Sequence, residues 1–152
     1  MNSILKNLLQ VNVVVKDVEE AIKRYSDVYG IGPWGVWEFN PGTVEDMIIR
    51  DKKAEYSALV AVARIGGIEW EVIQAMDDKS VYAEFLKKHG EGIQHVGYKV
   101  ENVEEAVKFF RSKGISVEQG GLWKGKYPYV YLSCEDTLKH MVPVQILVIR
   151  LK

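Results

Sequence analysis

Hydrophobic and polar positions along the chain fall into two copies of one pattern. From Leu8 to Lys16 they alternate: Leu9, Val11, Val13 and Val15 point one way, Gln10, Asn12 and Val14 the other. This predicts a strand with one aliphatic face, suited to packing beneath a helix, and one partly polar face, suited to lining a cavity. From about Val18 to Tyr29 the period becomes helical, with Val18, Ala21, Ile22 and Tyr25 as the apolar stripe. Asp17 is placed to cap this helix, Glu19 and Glu20 sit in its first turn where the dipole favours acids, and Gly30 ends it. The phrase then returns. Val18, Glu19, Glu20, Ala21 and Lys23 match Val103, Glu104, Glu105, Ala106 and Lys108 at a constant offset of 85 (103 − 18 = 85). The same offset carries His95 onto Gln10 (95 − 85 = 10).

Between the copies, Gly32-Pro33 predicts a turn, Trp34 to Phe39 a strand, Asn40-Pro41-Gly42 a turn and Val44 to Arg50 a short strand. Asp51 to Glu55 reads as loop. Tyr56 to Ile65 and Ile68 to Gln74 read as a hairpin closed by Gly66-Gly67. On the second of these strands Glu69, Glu71 and Ile73 share one face, and Trp70 and Val72 the other. Asp77 to Gly90 links the copies, and Val81, Phe85 and Leu86 give it helical spacing over Ser80 to Lys88. The second copy opens at Ile93 with His95, Gly97 and Lys99 on one face and Val96, Tyr98 and Val100 on the other. Its helix runs from about Val103 to Lys113 and stops at Gly114. Ile115 to Gln119 reads as a strand, Gly120-Gly121 as a turn, Tyr127 to Ser133 as a strand, Lys139 to Met141 as loop and Val142 to Arg150 as the last strand. The expected fold is α+β: one domain over residues 1–152, with β-α-β-β-β repeats at 8–75 and 93–152 joined by a helical linker at 76–92. Each repeat closes a core on one face of its sheet only, so the polar faces meet in a cupped mixed sheet.

Composition narrows the classes. Apolar residues at 47% and charged residues at 27% are globular values and exclude a disordered chain. A formal charge of −1 supplies no field for nucleic acid. Asn2, Lys6 and Asn7 interrupt any leader-like apolar run, and no stretch approaches the roughly 20 apolar residues of a membrane span. The single Cys134 forms no internal disulfide, which fits a reducing, cytoplasmic setting. Phosphate-binding glycine loops and a nucleophile elbow are missing, so nucleotide binding and serine hydrolysis lack support.

The two copies, carrying "VKDVEEAIKRY…GIGPW" and "GEGIQHVGYKVENVEEAVKFF…KGI", resemble the vicinal oxygen chelate superfamily of glyoxalases, epimerases, bleomycin-resistance proteins and extradiol dioxygenases. The "GPW", the "GGIEWEVIQ" hairpin and the "FLKKHGEGIQHVG" linker resemble the methylmalonyl-CoA epimerase-like, glyoxalase-domain branch. That resemblance covers nearly the whole chain. It implies one divalent metal in the cup, held from the first and fourth strands of each module by Gln10, Glu71, His95 and Gln145. Zn, Ni, Co and Mn are the candidate ions. His95 matches the family's "HxG" strand, Gln10 stands where histidine is usual, and Gln145 stands where glutamate is usual.

Two glutamines among four ligands change the chemistry. A carboxamide oxygen binds a cation but brings no charge, so Glu71 is the only anion. A dication there keeps a formal charge of +1 (2 − 1 = 1), which favours an enolate but weakens retention. The alternative is a site with no metal, in which Gln10, His95 and Gln145 hydrogen-bond one another and Glu71. The implied reaction is abstraction of a proton alpha to a carbonyl, on an acyl-CoA-type substrate, by an isomerase or lyase. Gln145 cannot act as base; Glu45 and Glu71 are the catalytic candidates, with Glu69 a further carboxylate on the Glu71 face. Trp34, beside Trp37 at the expected cup entrance, and Tyr129 and Tyr131, on one strand with Tyr127, are candidates for gripping a small-molecule substrate. Core or dimer packing is the competing reading of these aromatics. His89 and His140 read as surface histidines. A homodimer is expected. The rival function is a non-catalytic small-molecule-binding protein of the bleomycin-resistance type.

Overall fold

The two matching helices begin with the same hydrogen bond. In the computed structural model, which describes residues 4–133 and the strand at 145–149, Asp17 Oδ1 accepts from Glu20 N at 2.9 Å. Asn102 Oδ1 accepts from Glu105 N at 3.2 Å. Gly30 ends the first helix in the left-handed conformation (φ 66°), its N–H bonded to Ser26 O. The elements are β1 (Asn7–Val14), α1 (Val18–Tyr29), β2 (Gly35–Phe39), β3 (Val44–Ile49), β4 (Lys52–Lys53), β5 (Ala58–Ile65) and β6 (Ile68–Ala75). They continue as α2 (Val81–His89), β7 (Gly92–Lys99), α3 (Val103–Arg111), β8 (Val117–Trp123), β9 (Tyr127–Leu132) and β10 (Gln145–Ile149). The expected loop at Lys139 to Met141, His140 and Cys134 lie outside the described residues. None of the described helices is long and apolar enough to cross a membrane.

All the described strands hydrogen-bond into one mixed sheet in the order β2-β5-β6-β1-β7-β10-β9-β8-β3-β4. The repeat sets this order. In the first copy β1 runs parallel to β6, and in the second β7 runs parallel to β10. The two copies join where β1 and β7 pair antiparallel. This is the α+β fold of two β-α-β-β-β modules sharing a cupped sheet.

Alternation along the strands sorts side chains into an outer and an inner layer. On the outer face α1 packs Val18, Ala21, Ile22 and Tyr25 against Val13, Val15, Ala61 and Val72. There α3 packs Val103, Ala106 and Phe110 against Val117 and Leu132. On the inner face, Val14 and Ile73 join Val44, Met47, Tyr56, Tyr129 and Tyr131. The linker helix α2 also belongs to this inner core, through the buried Val81, Tyr82 and Phe85. Burying each of these side chains contributes about 1.5–3 kcal/mol, so α2 is a filled part of the cup and not a tether. The sheet curls far enough for its distant strands to touch. Phe39 of β2 stacks on Trp123 of β8 with ring centroids 5.3 Å apart.

Three expectations change. Val44–Ile49 leaves the first copy's strands and pairs with β8 of the second, Val44 facing Trp123. Lys52–Lys53, expected in a loop, forms the short β4 against Ile48 and Ile49. Gly120-Gly121 is not a turn but lies inside β8; the reversal comes at Lys124-Gly125, both at positive φ (52° and 61°). A Cβ on Gly121 would lie 2.5 Å from Val44 Cγ1, so glycine there reflects close packing of β3 on β8. Beyond β3, Arg50 and Asp51 turn the chain at positive φ (49° and 62°). Ion pairs from Arg50 to Glu84 (2.6 Å) and Glu118 (3.0 Å), and from Arg111 to Asp51, tie this turn to α2, β8 and α3.

Candidate active site

Strand register brings the polar inner-face residues together. Glu71 of β6 faces Asn12 of β1, Asn12 faces His95 of β7, and His95 faces Gln145 of β10. These four positions form one row across the four central strands, and Gln10 stands one pleat along β1. The side chain of Gln145 lies outside the described residues. The other four are buried: Asn12 and His95 at 0% exposed, Gln10 at 4% and Glu71 at 8%.

Their contacts converge on one carboxylate oxygen. Glu71 Oε2 accepts from Gln10 Nε2 at 3.0 Å and from Asn12 Nδ2 at 3.2 Å. His95 Nε2 lies 3.3 Å from the same oxygen and 3.2 Å from Gln10 Nε2. On the far side of the ring, His95 Nδ1 is 2.7 Å from Gln94 Oε1. An amide oxygen only accepts, so Nδ1 carries the proton in this contact, and Nε2 faces the Gln10 amide donor beside Glu71 Oε2. Asn12 Oδ1 is buried and has no hydrogen-bond partner among the described residues. The convergent atoms are thus an imidazole lone pair, a carboxylate and two carboxamides, with one acceptor unsatisfied.

A tyrosine cluster adjoins this group. Tyr131 sets its ring edge-on to His95, centroids 4.7 Å apart, and its hydroxyl is 2.7 Å from that of Tyr82. Tyr56 donates to Gly120 O at 3.1 Å and also bonds the Tyr129 hydroxyl. Burial pushes all four phenols well above the ordinary tyrosine range, so they stay protonated and act as hydroxyls.

The remaining candidates fall elsewhere. Trp34, expected at the cup entrance, packs on the helix side of the sheet, 5.9 Å from Tyr25, with its Nε1 donating to Ile31 O at 2.9 Å. Glu45 is exposed on β3, and its Oε1 would be 2.7 Å from a Cβ on Gly125, which places the carboxylate against the β8–β9 turn. It borders a cleft of about 950 Å³ that Val44, Met47, Lys53 and Lys79 also line. Glu69 pairs with Gln10 across β1 and β6. Burial raises its carboxyl, Arg64 at 3.4 Å opposes this, and the Glu71 charge adds to it. His89 stacks on Phe85 at the end of α2. The sequence reading placed Asn12 on the site face without giving it a role, and did not single out Gln94, Tyr56 or Tyr82. Only the inward parity of Asn12 signalled the first of these.

Residues 9–130 match the profile described as the Glyoxalase/Bleomycin resistance protein/Dioxygenase superfamily. No curated protein matches the chain. Among solved structures, methylmalonyl-CoA epimerase from Mycobacterium tuberculosis superposes with a TM-score of 0.70 at 20% identity, covering 100% of this chain and 92% of its own. A hypothetical protein from Bacillus halodurans C-125 gives 0.68 at 17% identity, covering 96% and 94%. A Streptomyces coelicolor methylmalonyl-CoA epimerase variant in complex with 2-nitronate-propionyl-CoA gives 0.65 at 16%, covering 95% and 97%. At these identities the likeness is one of fold.

Proposed function

Because the chain belongs to the glyoxalase/bleomycin resistance protein/dioxygenase superfamily, we propose that it is an isomerase or lyase of the epimerase or glyoxalase kind. It removes a proton alpha to a carbonyl, with a divalent cation held by Gln10, Glu71, His95 and Gln145. One observation carries this reading: His95 Nε2 and Glu71 Oε2 converge at 3.3 Å with two buried carboxamides around them. The donor set fits a single cation. Asn12 Oδ1, buried and without a hydrogen-bond partner among the described residues, is a further oxygen beside these donors. When bound, such an ion would act as a Lewis acid that lowers the energy of an enolate-like oxygen.

The chain's own groups divide the remaining work. Asn12 Nδ2 holds Glu71 in place, and Gln10 would offer a bound cation its amide oxygen. Glu71 is occupied by two amide donors, which makes it a ligand first. Glu45, which borders the 950 Å³ cleft on β3 and not the buried cluster itself, is the carboxylate left for the role of general base. Tyr131, edge-on to His95, and Tyr129 beside it are the buried hydroxyls proposed to face a substrate. An acyl-CoA-type substrate is proposed from the neighbouring epimerase structures. A homodimer and a cytoplasmic setting go with the same reading.

Deuterium exchange into methylmalonyl-CoA in D2O, with protein loaded in turn with Zn, Ni, Co and Mn, tests the proposal. Exchange is expected with at least one metal, and Glu45→Gln should lower its rate by about 10²–10⁴. No exchange with any of the four removes the epimerase assignment. A second reading has its own observation. Gln10 Nε2 already bridges Glu71 Oε2 and His95 Nε2, which satisfies both without a metal, as in a small-molecule-binding protein of the bleomycin-resistance type. That reading expects no metal at the site and unchanged ligand binding in chelator.

A further inference from the structure

The register between β1 and β7 slips twice, and both slips fall at related places. Leu8 faces Tyr98 and Gln10 faces Gly97, which leaves Leu9 as an extra residue on β1. Asn12 faces His95 and Val13 faces Ile93, which leaves Gln94 as an extra residue on β7. The two bulged residues are separated by the repeat offset (94 − 9 = 85). Each immediately precedes the residue its copy sends into the site, Gln10 in one and His95 in the other.

A bulge has a consequence for facing. In a regular strand Gln94 and His95 would point to opposite sides of the sheet. Here Gln94 Oε1 nonetheless reaches His95 Nδ1 at 2.7 Å, with both residues buried. Re-aiming a side chain beside a site is a recurrent use of bulges. The asymmetry of the copies explains what Gln94 is for. Leu9 precedes a glutamine, whose carboxamide has no tautomers. Gln94 precedes a histidine, whose lone pair can sit on either nitrogen.

We propose that Gln94 is a positioning residue: the bulge turns its carboxamide inward to hold His95 as the Nδ1–H tautomer, aiming the Nε2 lone pair at Glu71 and Gln10. Its value as a metal-site device rests on the function proposed above. The tautomer itself does not. Without Gln94 the proton can move to Nε2 and donate to Glu71 Oε2, which closes the ring to a cation. Partners of this kind typically change metal affinity by about 10–100-fold.

The test reads the two nitrogens of His95 by long-range ¹⁵N–¹H NMR in the metal-free protein at about pH 8, where free imidazole is neutral. Wild type should show Nδ1 protonated and Nε2 bare. Gln94→Leu should move the population toward Nε2–H and weaken Zn²⁺ binding by about 10–100-fold. Gln94→Glu, which can only accept, should restore the wild-type tautomer. An Nε2–H tautomer in wild type overturns the proposal even if Gln94→Leu does not fold. So does a Gln94→Leu protein that keeps the wild-type tautomer. If wild type binds no Zn²⁺ while its tautomer follows residue 94, the metal reading fails and the role of Gln94 stands.

Discussion

Packing of β3 on β8 can be tested at one atom. Gly121 lies in β8, and an added Cβ would sit 2.5 Å from Val44 Cγ1, 3.0 Å from the Tyr129 hydroxyl and 3.3 Å from Glu45 O. Val44 is 3% exposed within the inner core, and Glu45 O is backbone, so neither neighbour gives way freely. Overpacking of this kind costs about 1–3 kcal/mol. Replacing glycine by alanine returns about 0.4–1 kcal/mol by restricting the unfolded chain. The net loss for Gly121→Ala is therefore about 1–2 kcal/mol. With a urea slope near 2 kcal/mol/M, the midpoint should fall by about 0.5–1 M with the slope unchanged. Adding Val44→Ala removes the clashing methyl, so the double variant should lose less than the sum of the singles by about 1 kcal/mol. Gly67→Ala, where an added Cβ meets nothing within 4 Å, is the control and should show only the gain of about 0.4–1 kcal/mol. A Gly121→Ala midpoint at or above wild type, or strict additivity with Val44→Ala, would refute the placement of β3.

Two further outcomes follow from the same structure. Tyr56→Phe removes the donor to Gly120 O and the hydroxyl paired with Tyr129 inside the inner core, and calorimetry should show a loss of about 1–3 kcal/mol; a loss below the error of the method would mean that these bonds contribute nothing. Arg50 holds the Glu84 carboxyl below its usual value of 4.5, chiefly through their hydrogen bond. A carboxyl lowered on folding contributes stability above pH 4.5, and that contribution disappears as pH falls through the lowered value. Both side chains are about half exposed (52% and 47%), so the worth is a few tenths of a kcal/mol and falls with salt. Arg50→Gln should therefore lower stability slightly at neutral pH and converge with wild type in acid; a gap that widens below pH 4 contradicts the assignment.

How far the sequence anticipates the structure depends on how local each cause is. The α1 and α3 starts follow from Asp17 and Asn102, because a cap bonds a backbone N–H three residues away. The inner faces of β1 and β6 follow from alternation, so the shared side of Gln10, Asn12 and Glu71 was legible. Pairing of β3 with β8 was not, since nothing within Val44–Ile49 encodes a partner some seventy residues on. Gly120-Gly121 misleads because a glycine pair marks a turn and a close approach equally well. Gln94 is hidden by the rule that reveals His95: alternation sends neighbours to opposite faces, and only the bulge returns both inward. Trp34 reads as a mouth residue from the expected fold, yet Tyr25 and Ile31 O hold it on the outer side.

The central claim is that Glu71 and His95, with two glutamines, hold one cation. Elemental analysis of protein loaded with Zn, Ni, Co or Mn and then desalted tests it most directly. Wild type should retain roughly one equivalent of a divalent metal, and His95→Ala, with its fold checked by circular dichroism, should retain essentially none. Wild type that keeps no stoichiometric metal, or a His95→Ala protein that keeps as much as wild type, contradicts the account.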